Sequence, residues 1–223
     1  MTFDGTNFND TNFDDTVRTQ IVQLGAALYD RGLTPGRTGN LSVRTDDEIM
    51  ITPTAACLGR LDPERLAVTS IDGAHLAGDR PSKELVLHQA LYRHHPTCSA
   101  VAHLHSTSAV AVSCLPGLST EDALPPITPY FVMRVGRLPL IDYAPPGSPE
   151  LEEQVSRASQ RSRAVLMRNH GSLVAALSLD SAVDAVEEIE ETARLYLLLE
   201  GRSPAYLREE AVADLHRRFP PTA

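Results

Sequence analysis

The sequence predicts an α/β fold of the α+β type, in which helices pack on the faces of a central, mainly antiparallel sheet. Apolar β runs occur in pairs that short polar turns separate, and this pattern is typical of β-hairpins. Between these pairs, apolar residues recur at helical spacing. Because hairpins join antiparallel strands and each such helix has one apolar face, we expect the helices to cover the sheet.

The chain has the length and composition of one globular domain. Its 223 residues are 42% hydrophobic and 22% charged, which provides enough apolar surface for a core of its own. The first residues are polar, and the triplet Thr-Asn-Phe occurs twice among them. We therefore predict a flexible N-terminal tail over residues 1–14 and a single domain over residues 15–223.

Charge and hydropathy exclude several classes of partner. The net charge of −9 argues against a nucleic acid, because phosphate backbones require basic patches. No apolar run reaches the roughly 18 residues of a membrane span, and the N-terminus lacks the pattern of a secretory signal. Cys57, Cys98 and Cys114 are scattered, so we expect buried free thiols. We expect a cytoplasmic protein that acts on a small molecule, with no nucleic-acid or membrane partner.

One helix and two hairpins are predicted in the first third of the chain. The helix begins at Asp14 or Asp15 and ends before Gly32. Its apolar face consists of Val17, Ile21, Leu24 and Leu28. Residues 41–51 predict the first hairpin, because two β runs flank a tight polar connection. Residues 66–76 predict the second hairpin, around an Asp-Gly turn.

The middle of the chain predicts a helix, a strand and a second helix. Ser82 can cap the first of these helices, which carries Glu84 near its start. The apolar run over residues 100–105 predicts a buried strand. Residues 107–115 predict a helix of small side chains, and residues 116–129 contain several prolines that predict a loop.

The last third of the chain predicts three strands and two helices. Residues 138–143 predict a short strand, and an acidic first turn predicts a helix that begins at Pro149. Residues 164–167 and 173–176 predict antiparallel partners joined by a short turn. The longest helix is predicted from about residue 180 to residue 200, with one apolar face.

A metal site is predicted where three histidines and one carboxylate come together. His103 and His105 are two residues apart on a predicted strand, so their side chains point to the same side. Neutral imidazoles held side by side favour a borderline divalent cation such as zinc. Glu84 precedes this strand, and His170 lies in a later turn. Singly, the histidines could be hydrogen-bonded core residues and Glu84 a favourable charge at a helix start. Together they predict a catalytic metal site.

An anion site is predicted from two further segments. The loop over residues 36–40 is rich in glycine and backbone N–H groups, which suit an oxyanion such as phosphate. Ser82 and Lys83 stand at the start of a predicted helix, where an anion is favoured. The alternatives are a plain turn for the loop, an N-cap for Ser82 and a solvated charge for Lys83.

Other polar residues are interpreted as structural or solvated. His88 and His94 lie on the helix after Glu84 and are interpreted as structural or exposed residues. His95 and His216 are interpreted as surface residues. An acidic run is interpreted as the solvated face of the longest helix, and it consists of Glu187, Glu188, Glu190 and Glu191.

The order of these motifs resembles the class II aldolase/adducin family. The segments that carry the resemblance are residues 39–44, 51–54, 81–84, 103–105 and 170–171. The likeness extends over residues 15–200. It implies a three-layer fold, with helices on both sides of a central antiparallel sheet. It also implies a homotetramer with active sites at the subunit interfaces.

The resemblance gives each candidate site residue a role. It implies that one Zn²⁺ per subunit is held by His103, His105 and His170. It implies that Glu84 binds the metal at rest and acts as acid/base when the substrate arrives. The residues that would hold the substrate phosphate are Gly39, Asn40, Thr54, Ala55, Ser82 and Lys83.

Two positions depart from the sugar-phosphate aldolases of this family, which usually have Gly where Ala55 stands and a second Ser where Lys83 stands. Together with residues 54–63 and 129–136, Ala55 and Lys83 make the chain resemble the subgroup of the family that decarboxylates 3-oxo-tetronate 4-phosphates. The resemblance thus implies a zinc-dependent lyase that acts on a small phosphorylated sugar acid. It implies formation of dihydroxyacetone phosphate and CO2 through a metal-stabilised enediolate. The alternatives are a fuculose- or rhamnulose-1-phosphate aldolase, a pentulose-5-phosphate 4-epimerase and a non-catalytic, adducin-like domain.

Overall fold

A computed structural model describes residues 11–219 of the chain. Within this range, eight strands form one sheet. They are β1 (Asn40–Arg44), β2 (Glu48–Ile51), β3 (Ala67–Ser70), β4 (His75–Ala77), β5 (Ala100–Leu104), β6 (Leu140–Ile141), β7 (Ala164–Met167) and β8 (Gly171–Ala176). Their order across the sheet is β4-β3-β2-β1-β5-β8-β7-β6. Every pair of neighbours is antiparallel except β6 and β7, which are parallel. The predicted mainly antiparallel sheet is confirmed.

Seven α-helices accompany the sheet in the part of the chain that the structure describes. They are α1 (Asp15–Asp30), α2 (Leu85–His94), α3 (Thr107–Ser113), α4 (Pro129–Arg134), α5 (Pro149–Ser159), α6 (Leu179–Leu198) and α7 (Glu209–Arg218). Two short 3-10 helices, Leu58–Arg60 and Pro63–Arg65, lie between β2 and β3. None of the described helices is long and apolar enough to cross a membrane.

The core lies on both faces of the sheet, as the resemblance implied. On one face, Ile21 of α1 and Ile189 of α6 are fully buried in the larger apolar cluster. On the other face, Leu87 of α2 and Val155 of α5 are fully buried in the second cluster. Because successive strand residues point to opposite faces, β5 divides its side chains between the two clusters. His103 lies on the α2 and α5 face with Val101.

The predicted hairpins, the first helix and the long helix are confirmed, whereas the local predictions for Ser82, for two of the cysteines and for His95 are wrong. The α2 helix begins at Leu85 with Glu84 as its N-cap residue, and the hydroxyl of Ser82 instead accepts the N–H of Glu84 at 3.2 Å. Cys114 is exposed and Cys57 is half-buried, although all three cysteines are free as predicted. His95 is half-buried and contacts the Ser162 carbonyl, whereas a surface position was predicted.

The acidic run of α6 is only partly solvated, contrary to the prediction. The carboxylate of Glu190 accepts hydrogen bonds from the backbone N–H groups of Ser108 at 2.9 Å and Ala109 at 2.8 Å. Because the first N–H groups of a helix have no partner within it, Glu190 caps α3 from a distance in sequence. Glu188 accepts a hydrogen bond from the Thr128 hydroxyl. The run therefore anchors two neighbouring segments.

Residues 1–10 of the predicted tail lie outside the described residues, and Phe13, at its end, is buried in the core. The helices α4 and α7 were not predicted from the sequence. The predicted strand over residues 138–143 is confirmed in the shorter form of β6.

Candidate active site

Three histidines and one glutamate converge at one end of the central strands. His103 belongs to β5 and His105 follows directly after it, while His170 ends the turn between β7 and β8. The ring centroids lie 4.7 Å apart for His103 and His105, 5.0 Å for His103 and His170, and 4.7 Å for His105 and His170. Each of these rings and the carboxylate of Glu84 offers one atom, and these atoms all lie within 4.8 Å of one another. One ion could therefore contact all four residues.

The backbone around His170 is constrained on both sides. Asn169 adopts a left-handed conformation with φ of 56°, and Gly171 has φ of 153°. A Cβ atom on Gly171 would lie 2.1 Å from the carbonyl oxygen of Leu104. Only glycine therefore lets the turn approach β5 this closely, and this approach brings His170 to the pair on β5.

The tautomer of His103 is determined by the sheet. Its Nδ1 lies 2.8 Å from the backbone carbonyl oxygen of Ser172, which can only accept a hydrogen bond. The hydrogen of the neutral ring is therefore on Nδ1, and Nε2 carries a lone pair. That lone pair faces the Nε2 of His105 at 2.9 Å and a carboxylate oxygen of Glu84 at 3.4 Å. A bound cation would relieve the repulsion between lone pair and carboxylate, so these residues fit a metal.

The burial of His103 and His105 favours neutral imidazoles, the form that binds metals. Burial lowers the pKa of His103, which is fully buried. Burial and the neighbouring His103 and His170 lower the pKa of His105 to about 3. Burial alone would raise the pKa of Glu84, but His103, His170 and Asn40 lower it below its ordinary value. His103 and His105 thus offer neutral nitrogen donors beside an ionised carboxylate.

A cavity of about 190 Å³ opens beside the cluster of three histidines and Glu84. Its lining includes Glu84 and His105, which belong to the cluster. It also includes all six residues predicted to hold a phosphate, namely Gly39, Asn40, Thr54, Ala55, Ser82 and Lys83. The structure therefore brings all ten predicted site residues together. Arg37 and Pro146 also line this cavity and were not identified from the sequence.

Two backbone features shape the cavity wall. Gly39 has φ of 78°, and a Cβ atom there would lie 2.9 Å from the carbonyl oxygen of His103. The loop can therefore lie against the histidine strand only because this residue is glycine. Ala55 has φ of 56°, a left-handed conformation that is unfavourable for residues with a Cβ atom. The segment after β2 is consequently held in a strained turn at the cavity.

The side chain of Asn40 is directed at Glu84. Its Nδ2 donates to the carboxylate at 2.8 Å, and its Oδ1 contacts Nε2 of His88. His88 in turn contacts the hydroxyl of Ser42 at 2.7 Å, and Ser42 contacts the hydroxyl of Tyr92 at 2.8 Å. His88 was predicted to be a structural or exposed residue, and Ser42 and Tyr92 were not predicted to belong to the site. The residue spacing could have indicated these contacts. Alternate residues of a strand share a face, as Asn40 and Ser42 do, and so do residues four apart on a helix, as His88 and Tyr92 do.

Comparisons with known proteins agree on one family. The family model described as Class II Aldolase and Adducin N-terminal domain matches residues 19–197. A 3-oxo-tetronate 4-phosphate decarboxylase of Haemophilus influenzae is 48% identical over 199 residues, which cover 89% of this chain and 95% of the relative. An L-fuculose phosphate aldolase of Methanococcus maripaludis is 33% identical over 181 residues, covering 81% and 96%. The crystal structure of YgbL from Klebsiella pneumoniae matches with a TM-score of 0.87 at 43% identity, covering 90% and 97%.

Proposed function

Because the chain belongs to the class II aldolase and adducin family, we propose that this lyase converts a 3-oxo-tetronate 4-phosphate into dihydroxyacetone phosphate and CO2. The observation that carries the proposal is the similarity to decarboxylases of that name, which are 41 to 48% identical over about nine-tenths of the chain. A cluster that fits a metal, beside a cavity with a lysine, supports it.

We propose zinc as the metal, with one ion per subunit. Three imidazole nitrogens and one carboxylate, from His103, His105, His170 and Glu84, are ligands that zinc prefers. When bound, a divalent ion supplies a Lewis acid for negative charge that develops on the substrate oxygens. The residues of the chain account for binding, orientation and proton transfer.

The phosphate group would bind in the cavity next to the cluster. Ser82 and Thr54 offer hydroxyl donors, and Lys83 offers an ammonium group. The turn at Gly39 and the segment at Ala55 present backbone at the cavity wall. A phosphate held there, remote from the bond that breaks, would orient the reacting carbons toward Glu84.

The proton transfer is assigned to Glu84. When the bond between C1 and C2 breaks, CO2 leaves and the electron pair stays on C2, conjugated with the C3 ketone as an enediolate. Glu84 takes up a proton from solvent and delivers it to C2, which gives dihydroxyacetone phosphate. The amide of Asn40 holds the carboxylate at the edge of the cavity with a hydrogen bond of 2.8 Å. Glu84 is therefore within reach of both the cluster and the substrate.

Lys83 favours decarboxylation over the alternatives. Aldol cleavage of a ketose 1-phosphate and 4-epimerisation of a pentulose 5-phosphate can use the same kind of cluster, and an aldolase is among the relatives. Lys83 is an exposed residue that lines the cavity, and its charge is close enough to lower the pKa of His105. A cation at this point suits a substrate that carries a carboxylate as well as a phosphate. A non-catalytic adducin-like domain would have no use for such a site.

The proposal includes a cytoplasmic homotetramer with active sites between subunits. Three tyrosines are exposed in this structure of a single chain, namely Tyr130, Tyr143 and Tyr206. Large aromatic side chains are enriched in protein interfaces, so these residues are candidates for contacts between subunits. Pro146, three residues after Tyr143, lines the site cavity. A neighbouring subunit at this surface would therefore lie close to the substrate. Light scattering of the purified protein measures the number of subunits, and a monomer would contradict this part of the proposal.

One comparison of products tests the proposed reaction. The zinc-loaded protein is incubated in parallel with a 3-oxo-tetronate 4-phosphate and with L-fuculose 1-phosphate. We expect CO2 and dihydroxyacetone phosphate in equal amounts from the first substrate and little aldehyde from the second. Faster release of aldehyde from L-fuculose 1-phosphate would assign the chain to the aldolases instead.

A further inference from the structure

Five buried side chains form one continuous hydrogen-bonded chain that ends on Glu84. In order they are Tyr92, Ser42, His88, Asn40 and Glu84. Exposed fractions are 0% for His88 and Ser42, 1% for Tyr92, 4% for Asn40 and 5% for Glu84. Buried polar networks are favourable only when every member is satisfied, so the direction of each hydrogen bond can be worked out.

The chain has one consistent direction at the Glu84 end. An ionised carboxylate only accepts hydrogen bonds, so the atom of Asn40 that faces Glu84 must be its NH2 group. The Oδ1 atom of Asn40 then faces His88, and an amide oxygen also only accepts. Nε2 of His88 must therefore carry a hydrogen and donate it to Asn40.

The rest of the chain follows from that assignment. A neutral imidazole has one N–H group, so Nδ1 of His88 has a lone pair. The hydroxyl of Ser42, at 2.7 Å, donates to this lone pair. The hydroxyl of Tyr92, at 2.8 Å, then donates to Ser42, whose own hydrogen is already committed. Every hydrogen bond thus points toward Glu84.

We propose that His88, supported by Ser42 and Tyr92, is a positioning residue that fixes the amide of Asn40 so that its NH2 group holds the Glu84 carboxylate. Without the donor on His88, the Asn40 amide could turn over and present its oxygen to the carboxylate, which would repel it. This inference rests on the role of Glu84 in the proposed function. A residue that only packed between helix and sheet would not need a ring N–H group directed at Asn40, so the inference gives the polar ring of His88 a specific role.

The arrangement depends on how α2 packs on the sheet. Glu84, His88 and Tyr92 follow one another at intervals of four residues and therefore share one helix face. Asn40 and Ser42 are alternate residues of β1 and share one face of the strand. The hydrogen bonds interleave the two sets, so the position of Glu84 is tied to the contact between helix and sheet.

The tautomer of His88 can be observed without substrate or metal. Long-range correlation of ring nitrogens and protons by NMR, on the ¹⁵N-labelled wild-type protein, shows which nitrogen carries the hydrogen. We expect the hydrogen on Nε2 and none on Nδ1. A hydrogen on Nδ1 alone would overturn the proposal whatever reaction the protein catalyses.

Variants test the consequence for Glu84. His88→Leu removes the donor, His88→Gln keeps an amide N–H that can reach Asn40, and His94→Leu is a control on the same helix, where His94 contacts Ser156. We expect His88→Leu to lower kcat at saturating metal about 10- to 100-fold, as is typical when a partner of a metal ligand is lost. KM should change less than kcat, because Asn40 is the one residue of the six at the phosphate cavity that contacts His88. His88→Gln should recover most of the loss, and His94→Leu should match the wild type.

A metal titration separates this inference from the proposed function. The zinc affinity of the metal-free protein is measured by competition with a chelator for the same variants. We expect His88→Leu to weaken the zinc affinity about 10-fold or more, and the other two variants to keep it near that of the wild type. This result does not depend on which substrate the protein uses. A folded His88→Leu variant with wild-type kcat and wild-type zinc affinity would overturn the positioning role. A His88→Gln variant no better than His88→Leu would do the same.

Discussion

The Nδ1–H group of His103 donates a hydrogen bond of 2.8 Å to the backbone carbonyl of Ser172. The two residues lie on the neighbouring strands β5 and β8, so the pairing of the sheet determines which nitrogen of the ring remains free. That nitrogen faces His105 and Glu84. A hydrogen bond of this kind orients a metal-binding histidine and makes it a better ligand. The geometry of this candidate metal site is thus a consequence of strand order.

Removing the histidine pair should remove the metal. In the double variant His103→Ala/His105→Ala, two of the four donors are absent, and the remaining His170 and Glu84 cannot complete a tetrahedral site. We expect elemental analysis to find about one zinc per chain in the wild type and none above background in the variant. His94→Ala, which changes a histidine outside the cluster, should keep its zinc. Full zinc occupancy in the double variant would refute the assignment of the ligands.

Replacing Glu84 with its amide should separate binding from turnover. Glu84→Gln keeps the shape and an oxygen donor for the metal but cannot accept and deliver a proton. We expect zinc content and the binding of inorganic phosphate to stay close to wild type. The value of kcat should fall about 100- to 10,000-fold, as is typical when a general acid/base is lost. Unchanged turnover would remove Glu84 from the acid/base role.

The charge of Lys83 should matter more for decarboxylation than for aldol cleavage. If the ammonium group contacts the substrate carboxylate, Lys83→Ser should lower kcat/KM for decarboxylation about 10- to 100-fold, the loss expected for a hydrogen bond between charged groups. Residual aldol activity toward L-fuculose 1-phosphate should fall less, because that substrate has no carboxylate. Equal losses for both substrates would mean that Lys83 contacts only the phosphate.

A methyl group on Gly171 should destabilise the fold around His170. Its Cβ atom would lie 2.1 Å from the Leu104 carbonyl oxygen, so strand or turn must move. Gly117→Ala is the matched control, because Gly117 also has positive φ but has nothing within 4 Å of the added carbon. We expect urea denaturation to show a loss of about 1 kcal/mol for the control. The loss for Gly171→Ala should exceed it by about 1–3 kcal/mol. Equal losses would mean that the close approach is relieved without cost.

Most of the sheet could be predicted from local sequence patterns. Paired apolar runs with tight turns identify β1 with β2 and β7 with β8, because a hairpin is a local structure. The spacing of two residues between His103 and His105 similarly places both rings on one side. The long-range pairing of β5 between β1 and β8 has no such local signal. The grouping of His103 and His105 with His170 was predicted from their shared chemistry as metal ligands, and the resemblance to a family then gave each residue its role.

The elements that were missed depend on tertiary contacts. The helix α4 is only six residues long, and Thr128 caps it while also donating to Glu188 of α6. The cap of α3 comes from Glu190, far along the chain. Such partners are invisible to a search for capping residues next to a helix start. The chain of contacts from Asn40 to Tyr92 likewise needs α2 and β1 to be in place.

The most direct test of the central claim is decarboxylation before and after removal of the metal. CO2 and dihydroxyacetone phosphate are measured for one preparation of zinc-loaded protein, for the same preparation after treatment with a chelator, and after zinc is returned. We predict equal amounts of both products from a 3-oxo-tetronate 4-phosphate, loss of turnover on chelation and recovery with zinc. Undiminished release of CO2 by the chelated protein would contradict the account.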